Sequence, residues 1–177
     1  MKKIALFCCT LLVLAGCSML GHKTEVVPDC PMTGVLRGAS FYPVIASDAP
    51  HLAAADLAAS ASMGGAVEGT CKYTRDGEVS VKLSLVFSGR RGAKGEQLKE
   101  YKFPYFIAVL SPDDQILQRQ EFSTTVDFDN AGAGASAEEH KVRIPLRDKM
   151  KGPAYKITAG FQLTPQQITY NKENNAH

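Results

Sequence analysis

The chain has 177 residues, 20 basic against 18 acidic side chains, and 45% hydrophobic residues. That length and composition suit one globular domain with a sizeable core. A charge so close to neutral gives no argument for nucleic-acid binding, and none is expected.

Met1-Lys2-Lys3 and the apolar run Ile4 to Leu14 have the layout of an export signal. The run is too short for the roughly 20 apolar residues of a membrane-spanning helix. Next comes Leu14-Ala15-Gly16-Cys17, which resembles the lipobox of bacterial lipoproteins. The resemblance implies that residues 1–16 are removed as a signal peptide and that Cys17 receives the lipid. It also implies several acyl chains on that cysteine, and two or more hold a protein at a membrane. Ser18, rather than Asp, follows the cysteine. By resemblance to the sorting rule of enteric bacteria, this implies the periplasmic leaflet of the outer membrane, with the periplasmic face of the inner membrane as the alternative. Removal of Lys2 and Lys3 leaves 18 basic against 18 acidic side chains, so the mature chain is neutral.

On that reading Cys8 and Cys9 leave with the signal, and Cys17 takes the lipid. Cys30 and Cys71 remain. An oxidising compartment and an even pair predict one disulfide. Residues 17–29 read as a polar tether, and the segment through Pro50 as irregular, with an edge strand at Phe41 to Ala46 because it contains Pro43. Residues 51–63 are alanine-rich, which favours helix. Yet the small and apolar residues from Leu57 to Tyr73 hold one odd-numbered phase, so a strand over 57–74, bent at Gly64-Gly65, is preferred. Asp76-Gly77 marks a tight hairpin.

Val79 to Phe87 alternates strictly with polar neighbours, and shorter alternations follow at Phe122 to Phe128, Val142 to Leu146 and Tyr155 to Leu163. One wet face per strand implies antiparallel pairing. Phe103 to Leu110 is apolar on both faces and reads as a central strand. Ser111-Pro112-Asp113-Asp114 reads as a turn, and Asn130 to Ala137 as a flexible loop. Thr164-Pro165-Gln166-Gln167 carries a helix N-cap, a proline at the first helical position and a capping-box glutamine. It predicts a helix over 165–171, then a disordered tail over 172–177.

The elements together predict an all-β, antiparallel β-sandwich over 30–171 with a short C-terminal helix. Tyr155-x-Ile157 resembles a late strand of immunoglobulin-like or fibronectin-III-like sandwiches. The stretches GTCKY, PYFIAVLSPD, RIPL and GFQLTPQQITYN, in that order behind the lipobox, resemble a family of small bacterial lipoproteins. The resemblance implies a location and carries no activity.

Few residues point to chemistry. His22 and His177 lie near the ends, His51 in the alanine-rich segment, and His140 after Glu138-Glu139 at an expected solvated strand entry. Adjacent strand residues face opposite ways, so these three do not converge on a metal. No nucleophile motif or phosphate loop is present, and neither a cofactor nor catalysis is expected. Ser88 to Gly95 reads as a basic, glycine-rich loop whose Arg90, Arg91 and Lys94 would meet lipid phosphate, lipopolysaccharide or an acidic protein patch. The expected function is a lipid-anchored, non-catalytic structural or protein-interaction module with an envelope protein as partner. The alternative, a binder of a small ligand or envelope lipid, requires an apolar pocket between the sheets.

Overall fold

The computed structural model describes residues 27–46, 52–67, 70–174 and 176, with the side chains of 65–67 and 149 left aside. The expected signal peptide, Cys17, His22, His51 and His177 lie outside the described residues. Two sheets form the domain. In the first, β1 (Met32–Val35), β9 (Lys156–Phe161), β6 (Glu100–Leu110) and β7 (Ile116–Asp127) lie side by side in that order. In the second, β2 (Phe41–Ile45) pairs with β3 (Leu57–Val67), and β3 with one flank of β5 (Glu78–Arg91). The short β4 (Cys71–Tyr73) takes the rest of that flank, and β8 (Ala133–Pro145) runs along the other. A helix, α1 (Pro165–Glu173), closes the chain. The result is an all-β sandwich with a short C-terminal helix. Its pairings are antiparallel except that of β1 with β9, which is parallel.

The alternation of β5 builds one wall of the core. Val79, Val81, Leu83, Leu85 and Phe87 are at most 2% exposed. Opposite them stand Phe103, Tyr105, Ile107 and Val109 of β6, with Ile157, Ala159 and Phe161 of β9. The rings interlock: Phe87 lies 4.9 Å from Tyr105 and 5.9 Å from Phe161, and Tyr42 meets Phe103 edge-on at 5.6 Å. Such pairs add to area burial by about 0.5–1.5 kcal/mol each. Interleaved rings fill this part of the space between the sheets, where the ligand-binding alternative requires an apolar pocket.

Several segments differ from their sequence reading. The strand expected over 57–74 is two strands, β3 and β4, laid along different parts of β5. The supposedly irregular stretch after Cys30 contains β1, whose four residues are too few to show a period. The expected loop Asn130 to Ala137 is strand from Ala133 onward. The helix extends past Asn171 to Glu173, where the tail was expected to begin, and Asn174 donates to the Leu52 carbonyl at 3.2 Å.

Cys30 and Cys71 form the expected disulfide, with Cα atoms 5.7 Å apart. It ties the segment entering β1 to β4, and so one sheet to the other. Closing a loop with a sequence separation of 41 stabilises the fold by roughly 4 kcal/mol in the chain-entropy description. Beside it, Tyr73 Oη donates to the Asp29 carbonyl at 2.6 Å.

Strand β2 lies at a sheet edge, as Pro43 requires. Its outward carbonyls do not face water alone. Gln167 Nε2 donates to the Pro43 carbonyl at 2.6 Å and Asn171 Nδ2 to the Phe41 carbonyl at 2.8 Å. The geometry matches: two residues along a strand span about 6.8 Å, and four along a helix about 6 Å. Gln167 also completes the capping box, its Oε1 accepting from Thr164 N at 2.8 Å. One amide thus fixes the start of α1 and covers an open sheet edge. Gln167→Leu leaves a buried carbonyl unpaired and removes a cap. It should lower stability by about 2 kcal/mol, read as a lower urea midpoint with unchanged slope.

Candidate functional site: an outer-face groove and a polar seam

Strand β6 is apolar on both faces because both are covered. Its odd-numbered residues enter the core, while Phe106 and Ala108 point away from it and are still buried. Leu36 N donates to the Ala159 carbonyl at 2.8 Å, carrying the chain past the end of β1 into a 3-10 turn at Arg37–Ala39. This turn lies over the outer face at Gly160. A side chain there would bring its Cβ to 2.9 Å from Ala39 and 3.2 Å from the Phe106 ring. Glycine is needed for that close approach.

Between this turn, the outer sheet face and α1 runs a groove of about 770 Å³. Leu36, Ala39, Phe106, Phe161, Leu163 and Ile168 supply its apolar lining. Leu36 and Ile168 remain 49% and 39% exposed. Arg37, Arg119 and Lys172 also line it, and no described lining residue is acidic. The Arg119 guanidinium lies 4.3 Å from the centre of the Phe106 ring, a cation–π contact, and 3.3 Å from Glu121 Oε1. No carboxylate of the described residues lies within ion-pair distance of Arg37 or Lys172. Asn171 Oδ1, on the inner wall, is buried and has no hydrogen-bond donor among the described residues.

A second polar feature fills the seam between the facing edges of β7 and β8. His140 is not at a strand entry. It sits in the middle of β8 opposite Leu83, half-buried against the Phe122 ring at 4.4 Å. Its Nε2 shares a 2.7 Å hydrogen bond with Tyr105 Oη. Thr124 Oγ1 donates to Glu138 Oε1 at 2.9 Å and lies 2.8 Å from Ser136 Oγ. Burial pushes the Tyr105 phenol up to about 12, and the Glu138 carboxylate adds to the rise. Burial also lowers the His140 imidazole from its ordinary 6.5, against the opposing pull of Glu138. The imidazole is bonded to a phenol, and the two hydroxyls to each other and to a carboxylate. The arrangement satisfies polar groups that lie buried or half-buried between the two strand edges. Among the described residues, no three His, Cys, Asp or Glu side chains group as metal ligands.

The three basic residues singled out in the sequence do not form one patch. Arg90 and Arg91 end strand β5 and are not in a loop, so they face opposite ways. Arg90 is exposed. Arg91 donates to the carbonyls of Leu98, Asp129 and Asn130 at 3.1–3.4 Å and so pins the neighbouring turns. Lys94 is exposed on a loop that is stitched to β3: Gly92 N reaches the Ala58 carbonyl at 2.8 Å and Lys94 N the Leu57 carbonyl at 3.0 Å. A Cβ on Gly95 would collide with the Ala58 carbonyl, which is why glycine stands there.

The groove had no signature in the sequence. Its residues come from the 3-10 turn, β6, β7, β9 and α1, and the one usable sign was the apolar outward face of β6. No helix among the described residues is long and apolar enough to cross a membrane. No family model, curated protein or solved structure matches the chain.

The seam should register in stability. With its folded-state affinity for a proton lowered, His140 stabilises the fold fully above the ordinary imidazole range. That contribution is lost as pH falls below about 6.5 toward the folded value. Urea midpoints between about pH 7 and 5.5 should therefore fall more steeply for the native chain than for His140→Gln, whose amide keeps a partner for Tyr105. Parallel slopes would show that the imidazole titrates as it does in an unfolded chain.

Proposed function

We propose that the protein is a lipid-anchored envelope protein, held through Cys17 at the periplasmic face of the outer membrane, that works as a non-catalytic binding module. The groove on the outer sheet face is the observation that carries the reading. It leaves apolar side chains open to solvent on the outside of a packed core, and such a concavity is the usual form of a binding surface. The Cys30–Cys71 disulfide supports an oxidising compartment. An envelope protein segment and a small amphiphilic ligand are the two occupants to consider. Basic side chains over an apolar floor favour the second. Arg90 and Lys94 remain exposed for contact with anionic surface groups.

Two substitutions test the reading. Cys17→Ala should move the protein from the membrane to the soluble fraction, and continued sedimentation with membranes removes the anchor. A photoreactive residue in place of Leu36 should give a discrete adduct in intact envelopes, identified by mass spectrometry. The same group at Glu139, on the outer face of β8, should give none. Equal yields at the two sites would remove the groove as the working surface.

A further inference from the structure

We propose that the groove holds a single acyl chain whose anionic head, a carboxylate or a phosphate, is met by Arg37, Arg119 and Lys172. The inference rests on reading the groove as the binding surface and names what fills it.

Three features select this chemistry. The first is the floor. It is the face of a sheet, and β6 is paired on both sides, to β9 and to β7. An extended peptide lying there finds no free backbone partners, and its own amides would go unpaired on burial. A hydrocarbon chain has no such groups and loses nothing by covering Leu36, Phe106, Leu163 and Ile168. The second is the charge. All the charged side chains among the described lining residues are basic. Phe106 stacking holds the Arg119 guanidinium in place over the floor. Glu121 shares Arg119, whereas Arg37 and Lys172 have no ion-pair partner among the described residues. Basic groups at the rim of an apolar trough complement an amphiphile with a negative end. The third is size. About 770 Å³ falls within the range of roughly 300–1,000 Å³ typical of small-ligand sites.

The test uses the full mature chain with Cys17→Ser, so that no acyl chain of its own competes. Saturated fatty acids of increasing length, lysophosphatidylglycerol, fatty-acid methyl esters and alkyltrimethylammonium ions are titrated below their micelle concentrations. Binding is followed by calorimetry and by paramagnetic broadening from a spin-labelled fatty acid. Affinity should rise with chain length, by up to about fourfold per methylene. The anionic heads should bind at least tenfold more tightly than the ester or the cation. Broadening should centre on Leu36, Phe106 and Ile168. Arg37→Glu with Lys172→Glu should abolish the preference for an anionic head and keep the dependence on chain length. Leu36→Asp should weaken every amphiphile. Unchanged thermal unfolding shows that each variant is folded. A preference for fatty acid assigns the carboxylate as the head group, and a preference for lysophospholipid assigns the phosphate.

No binding by any amphiphile, equal binding by the cation, or broadening away from the groove overturns the inference. If a protein adduct nevertheless forms from position 36 in envelopes, the binding-module reading stands and only the ligand class falls. If neither amphiphile nor adduct is found, both fall.

Discussion

Strand β5 is 14 residues long and puts Val79, Val81, Leu83, Leu85 and Phe87 on a single buried face. Its length sets the layout of its sheet. One flank is shared between β3 and β4, and the other is taken by β8 from Glu78 to Arg90. Because side chains alternate with a period of two, a one-residue slip of β5 would turn all five hydrophobes to solvent. Packing against β6 and β9 therefore depends on this register, and so does the placement of His140 and Glu138 opposite Leu83 and Leu85.

How far the sequence could be read depended on whether a strand's inner face is apolar. β5 and β9 bury hydrophobes at alternate positions, and their periods were plain, while β6 showed as a continuous apolar run. Asp76-Gly77 and the Thr164–Gln167 box have local chemistry that works without tertiary contacts, and they too were legible. β8 was legible only from Val142 on. Its first half turns Ser136, Glu138 and His140 inward, toward a seam that pairs them with Thr124 and Tyr105. Polar residues facing inward look the same in sequence as polar residues in a loop. Arg91 illustrates the reverse error. A guanidinium bound to three carbonyls reads in sequence as a free surface charge.

The two polar features differ in what they leave over. In the seam, each of Tyr105, Thr124, Glu138 and His140 has a hydrogen-bond partner within the chain. In the groove, charges and apolar side chains remain available. Burial alone does not separate the two, since Asn171 and Thr124 are about equally enclosed. The difference lies in unspent interactions: Arg37 and Lys172 have no ion-pair partner among the described residues, and Leu36 and Ile168 are open to water. This is why the binding reading belongs to the outer sheet face and the seam is read as support.

The first strand and the last are neighbours, and the terminal helix reaches back 124 and 130 residues to cover the edge of β2. Such distant pairings are formed slowly, because the intervening chain must be ordered before they contribute. A chain emerging N-terminus first has Phe41 and Pro43 ready long before Gln167 and Asn171 exist. Until the final nine-residue helix is delivered, the β2 edge is an open template for another strand. Helix α1 thus closes the edge last: a chain shortened before it keeps its core residues but keeps a sticky edge as well.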